Sequence, residues 1–121
     1  MAVKLNLPDI ASGAMYTHAF LWYKQDANGV STPVDLTGYE AALQIWVDGA
    51  QNAAASWGTT TGEITLETNR ISIEAVASKT SGLTFEGAQY DLLVWPTVDP
   101  DRVVRVAYGE VNAYPVLTQL A

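Results

Sequence analysis

Cysteine is absent from this chain of 121 residues, which excludes disulfides, thiolate nucleophiles and cysteine metal sites. Basic residues are few: six Lys and Arg stand against thirteen Asp and Glu, for a formal charge of −7. They are scattered at Lys4, Lys24, Arg70, Lys79, Arg102 and Arg105. A nucleic-acid face needs clustered cations to replace condensed counterions, and an anionic membrane needs the same, so neither partner is expected. Long apolar runs are missing too. No stretch approaches the roughly 20 residues that cross a bilayer, and Met1 to Pro8 lacks the apolar core of a signal peptide. The expectation is a chain made in the cytosol that leaves it only as part of something larger.

Histidine occurs once, at His18, among aromatics, where it reads as a packed structural residue. A catalytic imidazole needs a nucleophile or carboxylate held against it, and zinc needs three or four ligands. Glu63, Glu67 and Glu74 fall on solvent phases of expected strands. A pair of such acids at glycosidase spacing is what chance provides among thirteen, so a two-carboxylate hydrolase has little behind it. Asp99 and Asp101 flank Pro100 as turn acids without the spacing of a calcium loop. No phosphate-binding glycine loop occurs. No catalytic residue, metal or cofactor is expected.

What is present is a succession of short alternating strands and turns. Val3, Leu5 and Leu7 alternate before Pro8. Tyr16, His18, Phe20 and Trp22 share one face of a run whose other face holds Met15, Thr17, Ala19, Leu21 and Tyr23. Apolar character on both faces suggests a central strand, or one covered by a neighbouring subunit. Asn28-Gly29 marks a hairpin turn through the positive φ it tolerates, and Asp35 caps the turn at Gly38. Ala41, Leu43, Ile45 and Val47 read as core, with Trp46 opposite. Residues 49–61 are poor in large aliphatics apart from Trp57, and form either a short strand or a loop pinned by one indole. Ile64 and Leu66, then Ile71 and Ile73, make two half-buried strands reversing at Thr68-Asn69. A short helical turn is expected near residues 75–82. Tyr90, Leu92 and Val94 alternate up to Pro96, and a last strand runs Arg102 to Tyr114. In it Gly109 marks a bulge or a close backbone approach.

Strands with turns every 8–12 residues or so point to an all-β, immunoglobulin-like sandwich of about seven or eight antiparallel strands, with a small barrel as rival. Residues 1–121 form one domain in this reading, with 1–13 an N-terminal arm or edge strand and 116–121 a loose tail. Four Trp and six Tyr exceed what one two-layered interior takes up. The surplus assigns Tyr16, Phe20, Trp22, Trp46, Trp57 and Trp95 to a subunit interface. The alternatives are a second apolar patch under the N-terminal segment and a carbohydrate-stacking platform built on Trp57 and Trp95.

The run Trp22-Tyr23-Lys24-Gln25-Asp26-Ala27-Asn28-Gly29, then Pro33-Val34-Asp35-Leu36-Thr37-Gly38-Tyr39, resembles the opening of small immunoglobulin-like bacteriophage virion domains. These begin siphophage upper baseplate proteins or stand alone as tail, neck or capsid-decorating proteins. Gly62-Glu63-Ile64-Thr65-Leu66, the connection Val76 to Leu83, Tyr90-Asp91-Leu92 and Gly109-Glu110-Val111 resemble later segments of that group in the same order. Trp46 stands where the pattern usually has Arg, and the turn at Asp99-Pro100-Asp101 lacks glycine. The resemblance implies a non-enzymatic virion subunit, homo-oligomeric in the particle and bound to other virion proteins, with no cofactor. A carbohydrate-binding module remains the alternative.

Overall fold

The computed structural model describes residues 3–115, and the tail expected at 116–121 lies outside them. Among the described residues there are eleven strands: β1 (Val3–Lys4), β2 (Ile10–Ser12), β3 (Tyr16–Leu21), β4 (Tyr23–Gln25), β5 (Ser31–Pro33), β6 (Tyr39–Trp46), β7 (Ala55–Gly58), β8 (Ile64–Glu67), β9 (Arg70–Ala75), β10 (Phe85–Pro96) and β11 (Val104–Pro115). The helical turn expected near 75–82 is α1 (Ala77–Thr80), and Pro100–Arg102 forms a single 3-10 turn.

A six-stranded sheet runs β1, β11, β10, β6, β7, with β2 also on β11; a second runs β3, β9, β8; and β4 pairs with β5 alone. The all-β expectation holds, but its count and direction are corrected. β1 and β2 lie parallel to β11, with Val3 opposite Ala107 and Ile10 opposite Ala113. The other pairings are antiparallel.

Inward side chains of the two larger sheets meet in one core. Leu43 and Ile45 of β6, Leu92 and Val94 of β10, and Ile71 and Ile73 of β9 are fully buried in it. Each contributes about 1.5–3 kcal/mol by leaving water. Val47, expected beside Leu43 and Ile45, is instead 36% exposed because β6 ends one residue before it. In β11 the apolar phase does flip, but away from Gly109. Leu92 faces Ala107 while Leu93 faces Arg105, so Val106 is the extra residue of a bulge, and both Val106 and Ala107 are buried.

Gly109 serves the other purpose expected of it, a close approach. A Cβ there would collide with the Leu5 carbonyl, where the N-terminal arm crosses β11. The arm is held by Leu5 N–H to Tyr108 O at 2.8 Å and Leu7 N–H to Glu110 O at 2.9 Å. The Tyr90 hydroxyl donates to Leu5 O, and the Tyr16 hydroxyl to Pro8 O at 2.9 Å. Burial pushes the Tyr90 phenol up to about 12, which keeps it a donor at any ordinary pH. Thr80 of α1 clamps the turn after β2. Its buried hydroxyl donates to Ala14 O at 2.7 Å and accepts from Gly13 N–H at 3.1 Å.

Candidate functional site

The six aromatics assigned to an interface divide into two groups. Tyr16 and Phe20 point inward from β3 and Trp57 inward from β7, and all three are buried within this one chain. The Tyr16 and Trp57 rings stand 6.0 Å apart, joining the second sheet to the edge of the first. Their assignment to a subunit contact is corrected: alternation along β3 and β7 sends them into the chain's own core. Trp22, at the break between β3 and β4, is half-buried against that core. Trp46 and Trp95 lie on the opposite phase, on the outer face of the six-stranded sheet.

That outer face is built by cross-strand register. Trp46 sits opposite Gln89, Gln44 opposite Asp91, Ala42 opposite Leu93 and Glu40 opposite Trp95. On the far side of β10, Asp91 faces Tyr108 and Leu93 faces Arg105. Trp46, 40% exposed, donates its indole N–H to Gln44 Oε1 at 3.1 Å, and Gln44 Nε2 donates to Ser56 Oγ at 3.3 Å. The Arg105 guanidinium lies 4.2 Å over the Tyr108 ring, with Nε 3.8 Å from Asp91 Oδ2. The result is a surface with an indole toward each end and a polar centre. Six residues of β10 separate the two indole rows, about 20 Å at a strand's rise of about 3.3 Å per residue. No two exposed rings form a sugar-stacking pair there, and Trp57, needed for the platform envisaged above, is only 3% exposed.

A second surface lies where the two sheets part. The expectation of a central strand at 16–23 is corrected: among the described residues β3 is an edge, paired with β9 on one side only. Between that edge and β1 runs a groove of about 430 Å³, lined by Val3, Leu5, Leu21, Trp22, Tyr23 and Val106 among others. His18 also lines it, edge-on to Phe20 at a ring separation of 4.8 Å, and burial lowers its pKa.

The turn residues are placed as structural. Asp35 accepts from the Thr37 N–H at 3.0 Å and the Thr37 hydroxyl at 2.7 Å, bonds that lower its pKa, and Gly38 takes φ +81°. In the β4–β5 turn only Gly29 has positive φ, so Asn28 does not play the part the Asn-Gly pair suggests. Asp26 organises that turn, accepting from Asn28 N–H at 2.8 Å and Val30 N–H at 2.9 Å.

Glu63 departs furthest from expectation. Its side chain is 4% exposed rather than solvated. It accepts from the Thr61 hydroxyl and from Gly58 N–H at 3.2 Å, with Lys79 Nζ 3.3 Å away. Burial alone would raise its pKa; the bonds from Thr61, Gly58 and Lys79 outweigh that and lower it. Thr61 and Lys79, two and sixteen residues away, carry no periodic signal toward Glu63. Glu67 and Glu74 are exposed as expected, and Asp99 pairs with Arg102 at 3.2 Å. Among the described residues no three of His, Cys, Asp and Glu gather as metal ligands. Compared with known proteins, the chain matches no family model and no curated protein.

Proposed function

We propose that this chain is a non-enzymatic structural subunit of a bacteriophage particle, an adaptor or decoration of tail, baseplate, neck or capsid. We read its two sheets as an immunoglobulin-like sandwich. The parallel seating of the first strands on the last, and the split into β11–β10–β6–β7 and β3–β9–β8, support that assignment. The segments that carry the resemblance fall at turns, at strand entrances and within strands. Leu36 to Tyr39 turns into β6, Gly62 to Leu66 opens β8, and Tyr90 to Leu92 lies within β10. Gly109 falls inside β11 rather than at its start.

The observation that carries the assembly reading is Trp46. It is a large ring left on the outside of a chain whose interior is already filled by Trp57, Tyr16 and Phe20. Side chains of this kind are enriched where proteins meet, and truncating one at an interface centre typically costs about 2 kcal/mol or more. Many copies in symmetric contact make modest interfaces sufficient. A glycan-binding role has less support, since Trp57 is enclosed and Trp46 and Trp95 stand far apart.

The test is to seek peptides of this chain in purified particles, and to measure incorporation of Trp46→Ala beside the unchanged protein. Expected are incorporation of the native chain, a clear deficit for Trp46→Ala, and a change in monomer stability under about 1 kcal/mol. Trp57→Ala, by contrast, should lose about 3–5 kcal/mol of folding stability. Particles lacking the chain would overturn the assignment. A large fall in melting temperature for Trp46→Ala would return that ring to the core.

A further inference from the structure

Among the described residues the edge of β3 continues into β4 without a partner on its outer side, and the hydrogen-bond pattern fixes which amides it presents. Trp22 N–H donates to Asn69 O at 2.9 Å and Trp22 O accepts from Val34 N–H at 3.0 Å, so at Trp22 the chain passes from pairing with β9 to pairing with β5 on one side. Asp26 N–H donates to Val30 O at 3.0 Å on that same side. Register is constant across both ladders, Tyr16 with Ala75 through Leu21 with Arg70, then Tyr23 with Pro33 through Gln25 with Ser31. Antiparallel ladders alternate between bonded and non-bonded pairs. Even-numbered residues therefore bond inward, and the backbone groups of Thr17, Ala19, Leu21, Tyr23 and Gln25 face the open edge.

Open edges are normally blunted by charge, proline or a bulge. None of Thr17, Ala19, Leu21 and Tyr23 is charged, and β3 and β4 contain no proline. Leu21 is 61% exposed, and Tyr23, Val3 and Leu5 beside it are exposed as well. The lining of the adjoining groove holds no Asp, Glu, Lys or Arg, although the whole chain carries −7. It is a surface on which two like-charged copies approach with little repulsion.

We propose that this edge pairs with the same edge of a second copy, antiparallel across a two-fold axis at Leu21. Residues directly opposite in an antiparallel pair must share a face, which restricts the register to odd with odd. Centring on Leu21 uses the whole open run: Thr17 meets the second copy's Gln25, Ala19 its Tyr23, and Leu21 its Leu21. The small Ala19 then receives the large Tyr23 at both symmetry-related positions, and β9–β3 of the two copies become one continuous sheet. The proposal deepens the assembly reading above and rests on it only for the setting inside a particle.

A chain without cysteine makes the register directly testable. Leu21→Cys should give a disulfide-linked dimer under mild oxidation, because the expected Cα separation of about 5.5 Å suits the bond. Thr65→Cys, exposed on β8, should not. Sedimentation of the cysteine-free chain across a concentration series should show a monomer–dimer equilibrium, weakened at least about tenfold by Leu21→Lys through two ammonium groups at the axis. Amide exchange at Thr17, Ala19, Leu21 and Tyr23 should slow as concentration rises. Failure of Leu21→Cys to cross-link above Thr65→Cys, or an unchanged equilibrium in Leu21→Lys, would overturn the proposal. If Trp46→Ala alone abolished association, the edge would be refuted while the particle reading stood. A dimer lost in Leu21→Lys together with absence from particles would refute the particle reading and leave the edge.

Discussion

Gly109 is a residue whose side chain matters by being missing. The Leu5 carbonyl occupies the space a Cβ would need, and the nearest obstruction is backbone, which has no rotamer to escape through. In Gly109→Ala the arm must lift from β11. That strains the bonds of Leu5 to Tyr108 and Leu7 to Glu110, and the Tyr90 hydroxyl loses its acceptor. Overpacking of this kind costs about 1–3 kcal/mol. Chemical denaturation should show the loss, and exchange at Leu5 and Leu7 should accelerate more than at Leu43. A variant as stable as the native chain would mean that the arm contributes nothing to the fold. The sequence marked Gly109 correctly as a bulge or a close approach, but not which. The deciding atom lies over a hundred residues earlier in the chain, and no local pattern reports such a contact.

The element that carries the clearest strain is the β8–β9 hairpin. Thr68 has φ +39°, the only positive φ at a non-glycine among the described residues. A β-branched side chain in that region costs on the order of 1 kcal/mol. Positive φ at the first central position is the signature of the primed hairpin turns that follow the strands' twist. Thr68→Gly should therefore stabilise the fold by a few tenths to about 1 kcal/mol, the gain being reduced by the added freedom of the unfolded chain. An upward shift of the denaturation midpoint checks this; a downward shift would mean that the Thr68 side chain makes a contact that outweighs the strain. Turn positions were the most legible part of the chain, because Asp35-Thr37-Gly38 and Thr68-Asn69 act through bonds within a few residues. Alternation likewise placed Leu43, Ile45, Leu92 and Ile73 correctly. It misplaced Glu63, and the apolar faces of β3 suggested a central strand where the sheet has an edge. Burial of a carboxylate depends on Thr61, Gly58 and Lys79 converging in space, and edge or centre depends on which strands pair. Of the candidate interface, Trp46 and Trp95 were readable from phase alone. Tyr16, Phe20 and Trp57 were not, since phase does not tell a filled core from a covered outer face.

At the scale of the whole molecule, acid should act on stability in two separate windows. Burial makes the folded chain hold a proton on His18 less tightly than the unfolded chain does, whose value is near 6.5. The neutral imidazole's contribution is therefore complete above that pH and declines as pH falls through it toward the lower folded value. Glu63 behaves at lower pH. Its folded pKa lies below 4.5, so its contribution is present above 4.5 and is lost as pH falls through the depressed value, with the Lys79 attraction and the charged acceptor for Gly58 N–H lost together. As pH falls toward the pI of about 4.3, the repulsion behind the −7 charge disappears, which partly offsets the loss. The net profile is thus best read by difference. His18→Gln should flatten the fall in melting temperature between about pH 7 and 5 relative to the native chain, leaving the step below pH 4.5 in place. Glu63→Gln should do the reverse, lowering stability at neutral pH and flattening the acid step. Parallel curves for His18→Gln and the native chain would show that the groove's imidazole is as well solvated folded as unfolded, and that the groove is wetter than its lining implies.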